Sequence, residues 1–262
     1  MTPVRRRLDV ELVRRGLVES RARAVEAIEH GRVEVGGAPA DRAARQVSPG
    51  ESVALRDPDA AFVSRGGQKL DAALRAFPVT LTGRRAVDVG ASTGGFTDCL
   101  LQHGAAHVYA VDVGRAQLAW RLRTDERVTV LDRLNARALD APMIDGVVPL
   151  AVVDVSFISL LLLAPALTRV TTDNADLVVL VKPQFEAGRD RVPRRGVVRD
   201  PVVHADVLRS VAAGLGDAGL PVVDGIESPI HGAEGNREFL FHVRRGAAPR
   251  DPDQLAALAE RS

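Results

Sequence analysis

The stretch Ala86-Val-Asp-Val-Gly-Ala-Ser-Thr-Gly-Gly-Phe-Thr97 reads as a buried strand, a glycine turn and a helix start. Val87 and Val89 are β-branched and apolar. Gly90, Gly94 and Gly95 permit backbone angles and close approaches that a Cβ would block, and helical spacing begins at Thr97. A ligand can therefore lie against bare backbone, with Asp88, Gly90, Ala91, Ser92, Thr93, Gly94 and Gly95 around it. The spacing Gly90-x-x-x-Gly94-Gly95 lacks the Gly-x-Gly-x-x-Gly pattern that seats a pyrophosphate on a helix start, which counts against NAD. One helix later comes a second apolar run, His107-Val-Tyr-Ala-Val-Asp-Val113. Its Asp112 falls about 20 residues beyond the loop, where a carboxylate binds ribose hydroxyls. S-adenosylmethionine, which has the ribose and no phosphate, fits loop and acid together. Val113 and Asn135 are further candidates to hold it, although Asn135 reads equally well as a turn residue, and an αβ turn without a ligand is the competing reading of the whole stretch.

With 262 residues, 46% of them hydrophobic, the chain has room for one large or two modest domains with a real core. The formal charge of +1 gives no global sign of nucleic acid, so any basic surface must be local. A single cysteine, Cys99, excludes an internal disulfide and fits a reducing cytoplasm. The most apolar run, Ile158-Ser-Leu-Leu-Leu-Leu-Ala164, meets Pro165 well short of a membrane span, and no apolar segment follows the first arginines, so neither insertion nor export is expected. The histidines show no metal-ligand spacing with one another or with Cys99, and no metal is expected. Of the 35 basic side chains only Lys69 and Lys182 are lysine. Such a bias lets exposed lysines drift to arginine, and it marks the two survivors as positions where a planar guanidinium, effectively never deprotonated, cannot replace a compact ammonium.

The front of the chain reads as a small unit of its own. Arg7-Leu-Asp-Val-Glu-Leu-Val-Arg-Arg-Gly16 is a short amphipathic helix closed by glycine. Ser20 is a plausible N-cap for a second helix stopped by Gly31, and Arg32-Val-Glu-Val35 is a strand entering the Gly36-Gly37 turn. Through Arg7-Leu-Asp9, Ser20-Arg21, Ala24, Ile28, Gly31-x-Val33, Val35-x-Gly37 and Val47-x-x-Gly50 it resembles the RNA-binding domain shared by a small-subunit ribosomal protein (S-four), pseudouridine synthases and tyrosyl-tRNA synthetases. Read alone, Arg5, Arg6, Arg7, Arg14, Arg15, Arg21 and Arg23 could be a solvated face balanced by Glu19, Glu26 and Glu29; the resemblance makes phosphate contact the better reading.

Residues 1–59 are therefore expected to form an S-four-type domain. Arg56-Asp-Pro-Asp59 reads as the linker, with 60–63 as the boundary segment, and 64–262 form the second domain. There, apolar runs at 86–89, 108–111, 128–131, 150–154, 177–181, 222–226 and 238–243 alternate with helical stretches. That pattern indicates an α/β, Rossmann-like, doubly wound seven-stranded sheet whose last two strands form an antiparallel hairpin, followed by a ragged helix or tail from Arg250. Ligands gather at the carboxyl ends of such strands, which is where Asp154 and Lys182 fall; Lys69, before the first strand, and Glu238, opening the last, can reach the same rim. An ordinary surface ion-pair network is the alternative reading of these four.

Ser64-Arg-Gly-Gly-x-Lys69, Asp88-x-Gly-Ala-Ser-Thr-Gly-Gly-Phe-Thr97, Asp154-Val-Ser-Phe-Ile158, Val181-Lys-Pro-Gln-Phe-Glu186 and Asn236-x-Glu238 together resemble the TlyA family, ribosomal RNA 2′-O-methyltransferases with an FtsJ-like class I methyltransferase domain behind the small RNA-binding domain. The resemblance covers nearly the whole chain. It implies a catalytic Lys-Asp-Lys-Glu set at Lys69, Asp154, Lys182 and Glu238, with Asp154 also beside the cofactor and Lys182 as the base; Lys182 as a charged stabiliser of the alkoxide stays open. It further implies cytidine 2′-hydroxyls of ribosomal RNA in assembled subunits as acceptors and an effect on susceptibility to tuberactinomycins such as capreomycin and viomycin; separately, a monomer in the cytoplasm is expected. Arg65, Arg133, Arg137, Arg189, Arg194 and Arg195 near the rim are expected to touch RNA as well. Base-nitrogen methylation fits less well, because Asp154-Val-Ser-Phe157 lacks the Asn/Asp-Pro-Pro-aromatic pattern. The rival readings are a non-catalytic RNA-binding assembly factor and, since the family has also been called haemolysin, a pore-former.

Overall fold

The computed structural model describes residues 5–55, 61–232 and 234–260; the expected linker at Arg56–Asp59 lies outside the described residues. The front region comprises β1 (Arg6–Arg7), α1 (Leu8–Arg14), α2 (Arg21–Glu29), β2 (Val33–Val35), β3 (Ala38–Pro39), β4 (Gln46–Val47) and β5 (Val53–Leu55). Ser20 caps α2 by accepting the Arg23 N–H at 3.3 Å. Leu8, Leu12, Ala24, Ile28, Val33, Val35 and Val47 close a small core between the two helices and the antiparallel β3-β2-β5 sheet, with β1 and β4 pairing beside it. At the β2–β3 turn the Gly37 carbonyl accepts the Trp120 N–H at 2.5 Å, and the neighbouring Ala119 N–H bonds the Thr93 carbonyl of the glycine loop at 3.1 Å.

The rest of the chain alternates: α3 (Gly66–Ala76), β6 (Arg85–Val89), α4 (Gly95–Gln102), β7 (His107–Asp112), α5 (Trp120–Arg123), β8 (Val128–Asp132), β9 (Val148–Val153), α6 (Ala164–Val170), β10 (Thr171–Val181), α7 (Pro183–Glu186), α8 (Pro201–Asp217), β11 (Val222–Glu227), β12 (Phe239–Arg244) and α9 (Pro252–Ala256). The seven-stranded sheet runs β11-β12-β10-β9-β6-β7-β8; its pairs from β10 to β8 are parallel, while β12 pairs antiparallel with both β10 and β11. Both faces are buried because side chains alternate along each strand. Val87, Val89, Val111, Val153 and Val179 pack toward α6 and α8, whereas Ala86, Val108, Val152, Val178 and Leu180 pack toward α3 and α4.

The expected strands lie where the apolar runs placed them, with one larger departure. β10 begins at Thr171, six positions before Leu177, because Thr171 pairs with Val148 ahead of a register shift to Asp176. Its polar start, Thr171-Thr-Asp-Asn174, gave no apolar signal. The tail is not ragged: Leu255 and Ala256 of α9 are buried. Among the described residues no helix is long and apolar enough to cross a membrane.

Candidate active site

The glycine loop leaves β6 under geometric constraint. Gly90 has φ +90° and an added Cβ would lie 2.3 Å from the Asp154 carbonyl oxygen; Gly94, at φ +98°, begins α4. Only glycine permits both. The Gly90 and Ala91 N–H groups bond to the Val111 carbonyl at 2.9 and 3.1 Å, and the Asp154 N–H bonds to Val89 at 2.9 Å, so the loop is fixed to β7 and to the end of β9 together. Asp112 accepts the Ser92 N–H at 2.8 Å and the Gly114 N–H at 2.6 Å, which pins the loop from the side. Beneath it Asp88 is fully buried. Its Oδ2 accepts from Thr97 Oγ1 at 2.7 Å and its Oδ1 has no partner, so burial above all pushes this carboxyl from 3.8 up to about 7.

A cavity of about 650 Å³ opens above the loop, lined on one wall by Gly90, Ala91, Ser92, Thr93 and Gly95 and on the other by Lys69, Asp154, Lys182 and Glu238. Lys69 and Glu238 form a short ion pair, both nearly buried. Lys182 Nζ donates to Ser156 Oγ at 2.9 Å and stands 2.5 Å from Asp154 Oδ1, off the direction of a hydrogen bond, so that contact is an ion pair rather than a directed bond. The four expected catalytic groups are thus brought together as two cation–carboxylate pairs on elements far apart in sequence. Buried charges persist only when paired, and each lysine here has its own carboxylate. Gly232 lets the loop before β12 close on the site, since a Cβ there would come within 2.5 Å of Glu238 Oε1. Ser156 is the member that sequence reading missed. It lies two positions after Asp154, just beyond the end of β9.

A family model for FtsJ-like methyltransferases matches residues 62–245, and one for S4 domains matches residues 6–53. The chain belongs to the FtsJ-like methyltransferase family. It is 48% identical over 241 residues, 92% of this chain and 90% of the relative, to the 16S/23S rRNA (cytidine-2′-O)-methyltransferase TlyA of Mycobacterium tuberculosis. It is 38% identical over 237 residues, 90% of this chain and 98% of the relative, to Hemolysin A of Brachyspira hyodysenteriae. A solved chain from Streptococcus thermophilus that carries the name hemolysin is similar at 39% identity and a TM-score of 0.75, covering 99% of this chain and 97% of that one.

In this FtsJ-like methyltransferase the cofactor is S-adenosylmethionine, and the loop residues suit it. The Asp112 carboxylate pins the loop from the side through the Ser92 and Gly114 N–H groups, and a negative charge there favours a cationic cofactor over a phosphate-bearing one. Of the remaining cofactor candidates, Val113 is 75% exposed after β7, and Asn135 accepts the Arg137 N–H at 3.0 Å, the turn role. Neither these two nor Asp112 lines the main cavity.

The rim carries an aromatic pair that sequence reading did not single out. Phe157 is 90% exposed with φ +66°, and its ring tilts against Phe185 at 5.1 Å between centroids. A bulky residue in the left-handed region is strained, and such strain gathers at functional sites. Glu186 ties the two segments together by accepting from Ser159 Oγ at 2.6 Å and the Leu160 N–H at 2.8 Å; burial raises its carboxyl above the usual range.

Among the expected RNA-binding arginines, Arg65 lines the main cavity, and Arg137 lines a second cavity beside Phe157 and Phe185. Arg133, Arg194 and Arg195 are exposed. The front arginines are more committed: Arg7 and Arg21 both bond Asp9, Arg14 and Arg15 both bond Glu11, and Arg23 bonds Glu26. The bond from Arg7 holds the Asp9 carboxyl at about 2, and the bond from Arg14 does the same for Glu11. Each of these two buried carboxylates serves two guanidinium groups and leaves one net positive charge. One juxtaposition was not visible in the residue spacing: Asp71 of α3 comes together with Cys99 and His103 of α4 and its end. Burial pushes the Cys99 thiol far above its ordinary range, and the Asp71 carboxylate is already engaged by Arg75 at 2.7 Å and by His103 Nε2 at 2.9 Å.

Proposed function

We propose that this chain transfers the methyl group of S-adenosylmethionine to the 2′-hydroxyl of a cytidine in ribosomal RNA. The observation that carries the reading is the pairing of Lys69 with Glu238 and of Lys182 with Asp154 across one cavity from the cofactor loop. A ribose hydroxyl is a poor nucleophile at neutral pH and must lose its proton as the O–CH3 bond forms and the C–S bond breaks. Lys182 is the group for that proton: as an amine it accepts it, and as an ammonium it stabilises the developing alkoxide. Lys69 and Glu238 form the second ion pair on the same wall and contribute to the field at that proton. Phe157, exposed at the mouth, offers a stacking face for a base.

The Mycobacterium tuberculosis relative is named for cytidine 2′-O-methylation of ribosomal RNA, and the S4 match at the front supports RNA as partner. By the same resemblance we infer that the acceptor is ribosomal RNA in assembled subunits and that its modification affects susceptibility to tuberactinomycins; we infer separately that the protein acts as a cytoplasmic monomer. We also infer that residues 1–59 serve placement while 64–262 carry the chemistry. The test is transfer of labelled methyl from S-adenosylmethionine to subunits from cells lacking the gene, followed by alkaline hydrolysis. A 2′-O-methyl group blocks cleavage of its phosphodiester, so the label should appear in alkali-resistant dinucleotides. Label released in mononucleotides would mean a base methyltransferase, and no label at all would favour the non-catalytic assembly factor.

A further inference from the structure

Asn236, two residues before Glu238, has no part in the chemistry above, yet only 2% of it is exposed. Both ends of its amide are spent on one loop. Oδ1 accepts the Val198 N–H at 2.9 Å, and Nδ2 donates to the Gly196 carbonyl at 3.0 Å. His204, in the first turn of α8, holds the same loop from the other side, its Nε2 donating to the Val198 carbonyl at 3.1 Å. The stretch so fastened is Val192-Pro-Arg-Arg-Gly-Val-Val-Arg199. Val192 and Gly196 line the main cavity, so the residues between them sit on its rim. Arg194, Arg195 and Arg199 are exposed, and none has an ion pair or hydrogen bond to a described side chain, in contrast to the paired arginines of the front region.

We propose that Asn236 is a positioning residue that fastens the 192–199 loop to the start of β12, so that Arg194, Arg195 and Arg199 form a clamp for the phosphodiesters flanking the target ribose. The inference rests on the ribosomal RNA reading above. A loop joined to solvent by exposed backbone would spread its arginines over many positions; two bonds from a buried amide remove that freedom before RNA arrives, so the ordering cost is already met in the free protein. Because Asn236 and Glu238 share one strand entry, the clamp is in register with the Lys69–Glu238 pair. Phosphates held by the loop would therefore set where the 2′-hydroxyl lies relative to Lys182.

The experiment uses the full chain and, as probe, ribosomal subunits from cells lacking the gene, with binding measured as a function of salt, methyl transfer as kcat and KM, and S-adenosylmethionine affinity by calorimetry. Replacing Arg194, Arg195 and Arg199 together with Gln should lower the slope of log affinity against log salt by about 2, at roughly 0.7–0.9 for each phosphate no longer neutralised. Asn236→Ala should lower that slope similarly and raise KM about ten-fold while kcat falls far less and cofactor affinity holds within about two-fold. Asn236→Asp retains the acceptor for Val198 and should recover part of the loss. Added to the arginine variant, Asn236→Ala should cost little more, since both act on the same phosphates.

An unchanged salt slope in the arginine variant would overturn the clamp, and this test stands even if Asn236→Ala fails to fold. A fall in kcat alone for Asn236→Ala, with KM and slope at wild-type values, would assign Asn236 to holding Glu238 and overturn its role toward the loop. Wild-type methyl transfer with unaffected variants refutes only this inference; no transfer by the wild-type protein refutes the functional reading itself.

Discussion

Replacing Asp88 with Asn should make the free protein more stable at neutral pH while leaving its stability at pH 4 nearly unchanged. Asp88 is buried beneath the cofactor loop with Oδ1 unpartnered, and its carboxyl is pushed from 3.8 up to about 7, first by burial and then by the charges of Asp154 and Asp112, against the bond from Thr97. The sign follows from linkage. Well below pH 3.8 the group is neutral in both states. As pH rises, the unfolded chain releases its proton near 3.8 while the folded chain keeps it, so stability falls until the folded group ionises at about 7 and is level beyond. A shift of that size at ~1.4 kcal/mol per unit amounts to about 4 kcal/mol lost across the window. Asn has the same shape, accepts the Thr97 bond through its carbonyl oxygen and never ionises. Urea unfolding of both proteins from pH 4 to 8, without cofactor, is the assay: the stability difference should grow in favour of Asp88→Asn and level off near pH 7. Parallel curves over that range would refute the claim that the Asp88 carboxyl is held neutral by its surroundings.

Lys182→Arg retains charge but cannot give up its proton, so at normal cofactor and RNA affinity single-turnover transfer should fall by on the order of 10²-fold if Lys182 is the base; near-normal turnover would leave stabilisation of the alkoxide as its role. Gly90→Ala places a Cβ 2.3 Å from the Asp154 carbonyl oxygen at a φ of +90°, and should weaken cofactor binding and slow transfer together, read by calorimetry and turnover on the same preparation. Asp9→Asn releases Arg7 and Arg21 from their shared carboxylate, so the front region should melt earlier while low-salt RNA affinity rises; a drop in both would mean that the pairing itself shapes the RNA surface.

The sheet was legible because strands buried on both faces announce themselves as short apolar runs, and the loop because Gly90 and Gly94 stand where backbone geometry leaves no alternative. The four groups at the cavity came from the family resemblance, and its two lysines were marked by a second signal. In a chain stripped of lysine, Lys69 and Lys182 stood out by composition, and the structure pairs the first with the buried Glu238 and the second with the half-buried Asp154. What stayed hidden depends on tertiary proximity. Nothing local says that Asn236 reaches Gly196 and Val198, 38 to 40 positions earlier, or that Asp71 meets His103. The front arginines misled in one respect. Glu19, Glu26 and Glu29 were the expected counter-charges, yet the main partners are Asp9 and Glu11, buried on α1, and among the three expected acids only Glu26 forms a pair, with Arg23. A sequence shows the charges of a helix but not which carboxylates are shielded from water.

The central claim is that the two lysine–carboxylate pairs methylate a ribose oxygen of ribosomal RNA. Its most direct test is mass mapping of ribosomal RNA from cells with and without the gene, and from cells whose only copy carries Lys182→Ala. The account predicts at least one 2′-O-methylcytidine present with the gene and missing from both other strains. A methyl group on a base at that site, or identical maps from all three strains, would contradict it.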